Sequence, residues 1–200
     1  TVNIYSAFLQ NEWKNDRWGI LIGGRLDKHN MVDNVIFSPR ANLRFNPTQN
    51  INLRLSYSSG FRAPQAFDED MHIENVGGTV AMIERAKDLK EEKSQSFSVS
   101  ADMYHRFGAF QTNLLIEGFY TRLTDVFVLG KPYDRGDGIL VKTRSNGPGA
   151  KVMGLTLEGK VAYLSILQIQ AGLTLQRSRY DEPHKWHDDA PAEKKIFRTP

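Results

Sequence analysis

"INLRLSYSSGFRAPQAFDEDMH", residues 51–72, carries two rhythms in one line. Ile51, Leu53, Leu55, Tyr57 and Phe61 fall on one side of a period of two, with Asn52, Arg54, Ser56 and Ser58 on the other. Successive strand side chains point to opposite faces, so this is a half-buried antiparallel strand. Pro64 then ends the ladder, because it has no N–H to donate, and acidic residues crowd in with a histidine. A metal site, an acid/base pair and a strand leaving a membrane would all begin this way.

The same alternation recurs in "KSQSFSVSADM" (93–103), "MGLTLEGKVAY" (153–163) and "IQAGLTLQRS" (169–178). It predicts an all-β chain of eight strands, near 2–14, 16–28, 37–46, 51–61, 93–106, 110–127, 150–163 and 166–180. The odd connections are tight: Asn15-Asp16, 46–50, Gly108-Ala109 and 164–167. The even ones are long, near 29–36, 62–92 and 129–149, and a further polar loop follows at 181–196. In an antiparallel up-and-down meander this puts turns at one end and all elaboration at the other, as in outer-membrane barrels. Several strands exceed the five or six residues usual in a soluble sandwich. Helical spacing is found only in "AMIERAKDLKEEK" (81–93), which predicts one or two helical turns inside a loop.

Bulk properties narrow the class. Hydrophobic residues make up 40% of the 200, enough to exclude global disorder, while a net charge of +3 without any Lys/Arg block argues against nucleic-acid binding. Cysteine is absent, which excludes disulfides, thiolate metal sites and cysteine catalysis. The opening "TVNIYSAFLQNEW" reads as structure rather than as a leader, and the abrupt ends read as a piece of something longer. The stretch 161–176 is too interrupted by Ser165, Gln168, Gln170 and Gly172 for a spanning helix.

The polar strand faces are Ser, Thr, Gln, Asn and Gly with isolated charges. A watery lumen accepts these, whereas a dry core would leave them unpaired at roughly 1–3 kcal/mol each. A soluble sheet with one face in bulk water is the alternative. Aromatics near strand ends (Trp13, Trp18, Phe61, Phe119, Tyr120, Tyr163) suggest interfacial girdles.

Once these strands are placed, four stretches resemble the barrel of TonB-dependent outer-membrane receptors. "FSPRANLRFNPTQNINLRLSYSSGFRAPQAFDEDMH" (37–72) is similar to that family's Asn-Pro turn, Tyr-Gly/Ser strand and Gly-Phe-Arg-Ala-Pro exit. "LKEEKSQSFSVSAD" (89–102), "NLLIEGFYTRLTDVFVL" (113–129) and "RSNGPGAKVMGLTLEGKVAY" (144–163) resemble the strands that follow, in the family's order. The likeness is to receptors of the cobalamin, siderophore and haem type, and "FDEDMH" resembles Bacteroidetes members. "FRTP" (197–200) resembles the start of a further strand.

The resemblance implies that residues 1–200 are one section of a 22-stranded transmembrane barrel, with the plug domain and remaining strands elsewhere. It further implies partners: that plug, an inner-membrane energy-coupling complex reached through an N-terminal box, outer-membrane lipid and a small nutrient ligand. The function expected is energy-coupled uptake of an iron chelate, haem, corrinoid or similar nutrient. A passive porin or adhesin barrel and a soluble all-β binding module are the alternatives.

Ligand contacts are expected from the long loops. Arg62 offers a guanidinium fork for a carboxylate on ligand or plug. Phe67, Asp68, Asp70 and His72 lie just beyond it, and Tyr133 and Arg135 in the next long loop. Asp68, Asp70 and His72 are also of metal-ligating type, but the oxygen ladder and glycine of an EF-hand are missing, so a metal remains unassigned and a solvated acidic loop is the simpler reading. "HKWHDD" (184–189) has no scaffold to converge zinc ligands, and "YDRGDG" (133–138) is turn chemistry. No G-x-S-x-G elbow or phosphate loop is found, and nothing makes Glu117 and Asp125 a facing carboxylate pair. No cofactor and no enzymatic activity are expected.

Overall fold

Alternating residues with β-branched and aromatic enrichment form strands wherever the sequence shows period two. The structure is a computed structural model, and it describes residues 3–64, 81–136, 140–184 and 193–195. Among these described residues thirteen strands follow in chain order. The long ones are β1 (Ile4–Lys14), β2 (Trp18–His29), β3 (Ile36–Thr48), β4 (Ile51–Arg62), β6 (Glu92–Phe107), β7 (Phe110–Thr124), β11 (Ala150–Tyr163) and β12 (Leu167–His184). The short ones are β5 (Ala81–Arg85), β8 (Phe127–Leu129), β9 (Tyr133–Asp134), β10 (Leu140–Asn146) and β13 (Glu193–Lys195).

The eight long strands pair antiparallel with their neighbours, in the order β1-β2-β3-β4-β6-β7-β11-β12, and β13 extends the sheet beyond β12. This is the expected meander, with strand limits mostly within a few residues of those predicted. No Greek-key crossing occurs among the described residues of this sheet. Gly108 (φ 59°) and Leu164 (φ 50°) take the left-handed backbone that two of the short turns need.

Register makes the two faces continuous. One row runs Leu43, Leu55, Val99, Gly118, Leu155, Leu175 across six strands, and the rows beside it are apolar too except for Arg177 at the β12 end of one. The opposite face carries Asn52, Asp102, Ser56, Ser98, Glu117, Thr156 and Thr174. The apolar face is bare: Leu55 is 51% exposed, Val99 60% and Leu173 56%. Buried apolar residues are few, and Val32, Ile36 and Ala63 cluster with Phe61 at the loop end. A sandwich would bury these aliphatics against a second layer; among the described residues they are bare instead.

Three expectations need correction. The 81–93 stretch forms no helix: residues 81–85 are strand β5, paired parallel with β10, because tertiary pairing overrides local propensity. The sixth expected strand, 110–127, breaks at Asp125 (φ 55°), and β8 leaves for a second sheet. Phe119 does not join the girdle; it faces the polar side, lying over Gly154.

Candidate functional site

At the long-loop end stands a second, four-stranded sheet, β5-β10-β8 with β9 also on β10. Val141 at its centre is fully buried and Arg144 nearly so. β10 joins elements far apart in sequence, since Leu140 is the register partner of Ala81 and Asn146 that of Phe127.

Polar latches fix this small sheet to the large one. Asn146 Oδ1 accepts the Lys90 N–H at 2.8 Å, and its Nδ2 donates to the carbonyls of Lys90 (3.0 Å) and Asp125 (2.8 Å). The Glu92 carboxylate, at the start of β6, accepts the Phe127 N–H at 2.9 Å. Arg85 donates to the Pro64 carbonyl (3.3 Å) and approaches Met31 Sδ (3.7 Å), so one side chain ties β5 to the end of β4 and the 30–35 loop.

Arg62 sits at the base of this assembly. It is the register partner of Glu92, and its guanidinium lies 5.3 Å from the centre of the Phe127 ring, a cation–π contact. Arg135 pairs with Glu84 at 3.3 Å, both side chains 44% exposed. Tyr133, on β9 opposite Val141, is exposed. The fold thus gathers Arg62, Tyr133 and Arg135 on or beneath one small sheet. Phe67, Asp68, Asp70 and His72 lie outside the described residues, as do 185–189 of the "HKWHDD" stretch. Among the described residues no group of three His, Asp or Glu side chains could hold a metal.

Beside these residues opens a cleft of about 610 Å³, lined by Asn30, Met31, Pro64 and the charged Glu84, Arg85 and Lys87. His29 is buried next to it, its Nδ1 accepting the Met31 N–H at 3.0 Å. Sequence reading missed the latches Glu92, Asn146 and Arg85. The one available signal was "LVKTRSN" (140–146), a short alternating run inside what reads as loop.

The opposite, polar face of the large sheet carries several hydrogen-bonded pairs. Asp27, only 2% exposed, accepts from Ser6 Oγ (2.6 Å) and Arg25 Nε (2.7 Å). Asp102 takes hydrogen bonds from Asn113 and from Tyr104 (2.9 Å), and Arg40 bonds Gln10.

A family model described as TonB dependent receptor-like, beta-barrel, matches residues 1–200. Among solved structures, the chain is similar to the siderophore receptor PirA from Pseudomonas aeruginosa, with TM-score 0.73 and 17% identity over 90% of this chain and 35% of that one. It is also similar to the FrpB iron transporter from Neisseria meningitidis (F3-3 variant), with TM-score 0.65, 18% identity and coverage of 90% and 26%. The ferric enterobactin receptor PfeA from Pseudomonas aeruginosa (G324V mutant) gives TM-score 0.66, 19% identity and coverage of 88% and 26%. No curated protein matches the sequence. The chain therefore spans about a third or less of the length of these solved relatives.

Proposed function

The chain belongs to the TonB-dependent receptor β-barrel family, and from that premise we propose that it is the wall and part of the outer mouth of an outer-membrane receptor for a scarce nutrient. The observation that carries the reading is the register itself. Eight strands align their aliphatic residues on one bare face and their polar residues on the other, and the elaborated connections stand at one end. In lipid every backbone polar group must be satisfied internally, and a closed barrel is the β solution. The family barrel closes around a plug, and the plug would meet the polar wall here.

Ligand is taken from outside at the mouth. Arg62, Tyr133 and Arg135, with Arg85 and Lys87 of the cleft, present positive charge and an aromatic surface suited to an anionic chelate. The relatives include a siderophore receptor, an iron transporter and a ferric enterobactin receptor, so a ferric chelate leads, ahead of haem or a corrinoid. Release inward then follows displacement of the plug by the inner-membrane energy-coupling complex. This is transport, with no bond made or broken by the chain.

The test uses the full-length protein in cells lacking other iron receptors, supplied with radiolabelled ferric chelates, haem and a corrinoid. Saturable uptake of one of them, abolished by a protonophore, is expected. Uptake indifferent to the protonophore would make the barrel a passive pore, and no uptake of any would remove the nutrient reading.

A further inference from the structure

His29 closes β2 with its ring fully buried. Its Nδ1 accepts the Met31 N–H at 3.0 Å, so that nitrogen carries a lone pair and the ring proton sits on Nε2. Nε2 is buried too, and it meets no hydrogen-bond partner among the described residues. A second proton has one place to go, Nδ1, and there it abolishes the bond to Met31. It also leaves a charged ring in a buried site, which is costly without an acceptor.

Among the described residues no carboxylate bonds that ring. On its own strand Asp27 shares the face, but its Oδ1 accepts from Ser6 Oγ at 2.6 Å and its Oδ2 from Arg25 Nε at 2.7 Å. Across the ladder β1 offers Ile4, the register partner, and then Ser6. From β3 comes Ile36, which is apolar and buried. From β5 come Arg85, a like charge, and Glu84, whose partner is Arg135 at 3.3 Å. In the 30–35 loop the Asp33 side chain is exposed, and Lys28 Nζ bonds the carbonyls of Val32 (3.1 Å) and Asp33 (2.6 Å).

What the His29 bond holds is that loop. Val32 tucks into the apolar cluster with Ile36, Ala63 and Phe61, and Met31 places its sulfur 3.7 Å from Arg85. Arg85 in turn bonds the Pro64 carbonyl at 3.3 Å. Asn30, Met31, Pro64 and Arg85 all line the cleft of about 610 Å³, so the ring fixes one wall of it.

We propose that His29 is a proton-operated latch on this cleft. Neutral, it seats the 30–35 loop against the large sheet. Protonated, it lets go of Met31, and the contact between Met31 and Arg85 goes with it. The cleft wall therefore loosens as pH falls through the range in which histidine changes charge, about pH 8 to 5. The latch stands on geometry alone, and its consequence, weaker ligand capture in acid, rests on the receptor reading above.

The experiment follows backbone amide exchange of full-length protein in mild detergent from about pH 8 to about pH 5. Each rate is divided by that of the free peptide, which removes the pH dependence of exchange chemistry itself. Protection of the Met31 amide is expected to fall about tenfold or more in acid, while amides of β6 and β7 keep theirs. His29→Asn offers an amide oxygen in place of Nδ1 and takes up no proton, so it should keep the loop protected throughout. His29→Ala should leave it unprotected throughout. Wild-type protection at Met31 that does not change with pH overturns the proposal. So does a loss shared equally by β6 and β7, which marks general acid unfolding, or a His29→Asn protein that loses protection in acid as wild type does. If neither variant assembles, the wild-type comparison still decides. Exchange needs no ligand, so the two readings fail separately: absent uptake removes the receptor reading and leaves the latch, whereas pH-independent exchange removes the latch alone.

Discussion

Asn146 grips Lys90 from both sides: its side-chain oxygen accepts the Lys90 N–H at 2.8 Å and its side-chain nitrogen donates to the Lys90 carbonyl at 3.0 Å. An amide side chain that copies a strand edge in this way joins β10 to a segment 56 residues away in sequence. The mouth is therefore latched to the wall by side-chain chemistry, whereas the wall itself is held by backbone ladders.

Asn146→Ala removes three hydrogen bonds and should loosen the second sheet by about 1–3 kcal/mol. Amide exchange of Gly147 and Phe127 should accelerate about tenfold or more, while strands β6, β7 and β11 keep their protection and the barrel still assembles. Unchanged exchange at Gly147 would show that the latch is not limiting.

Arg62 stacked on Phe127 is the most constrained of the site candidates. Arg62→Ala should reduce uptake markedly while heat-modifiable assembly is retained. Arg62→Lys should recover part of it if charge alone matters, and little if the planar fork contacts a carboxylate. Wild-type uptake in Arg62→Ala would retire the assignment.

The Arg135–Glu84 pair is open to water on both sides. A double-mutant cycle with Arg135→Ala and Glu84→Gln should give a coupling below about 1 kcal/mol in stability. Any larger loss of ligand affinity in Arg135→Ala then reads as lost ligand contact. A coupling several times larger would make Arg135 structural.

Gly24 lies under Phe37 on the outward face, and a Cβ there would stand 2.5 Å from Phe37 Cε2. Gly24→Ala should cost about 1 kcal/mol, less than a core clash because the Phe37 ring is 59% exposed and can turn aside, seen as a lower denaturant midpoint of the assembled barrel. Phe37→Leu in the same chain should return most of it, since only the ring is in the way. A Gly24→Ala protein as stable as wild type would contradict the packing described.

The wall was legible in sequence because period two repeats over 11 to 18 residues in each long strand and short turns alternate with long connections. The second sheet was not. β8 and β9 are three and two residues long, below any window that detects alternation. β5 and β10 pair parallel across more than fifty residues, and the good helix formers of "AMIERAKDLKEEK" hid the strand. Asp125 stopped β7 by taking a left-handed backbone, a choice that aspartate tolerates but does not announce. Arg62, Tyr133 and Arg135 are candidates from loop position and family likeness alone. Glu92 and Asn146 act through side-chain contacts with backbone, and no spacing rule marks such residues.

The proposed membrane setting puts the aliphatic face against acyl chains and the polar face against water or the plug. The chain has no cysteine, so single cysteines can be placed one at a time at Leu155, Thr156, Leu157, Glu158, Leu173 and Thr174 of full-length protein in membranes and spin-labelled. Strict alternation is expected, with high collision rates with oxygen at Leu155, Leu157 and Leu173 and low ones at Thr156, Glu158 and Thr174. Uniform accessibility to a water-soluble nickel chelate at all six positions would contradict it.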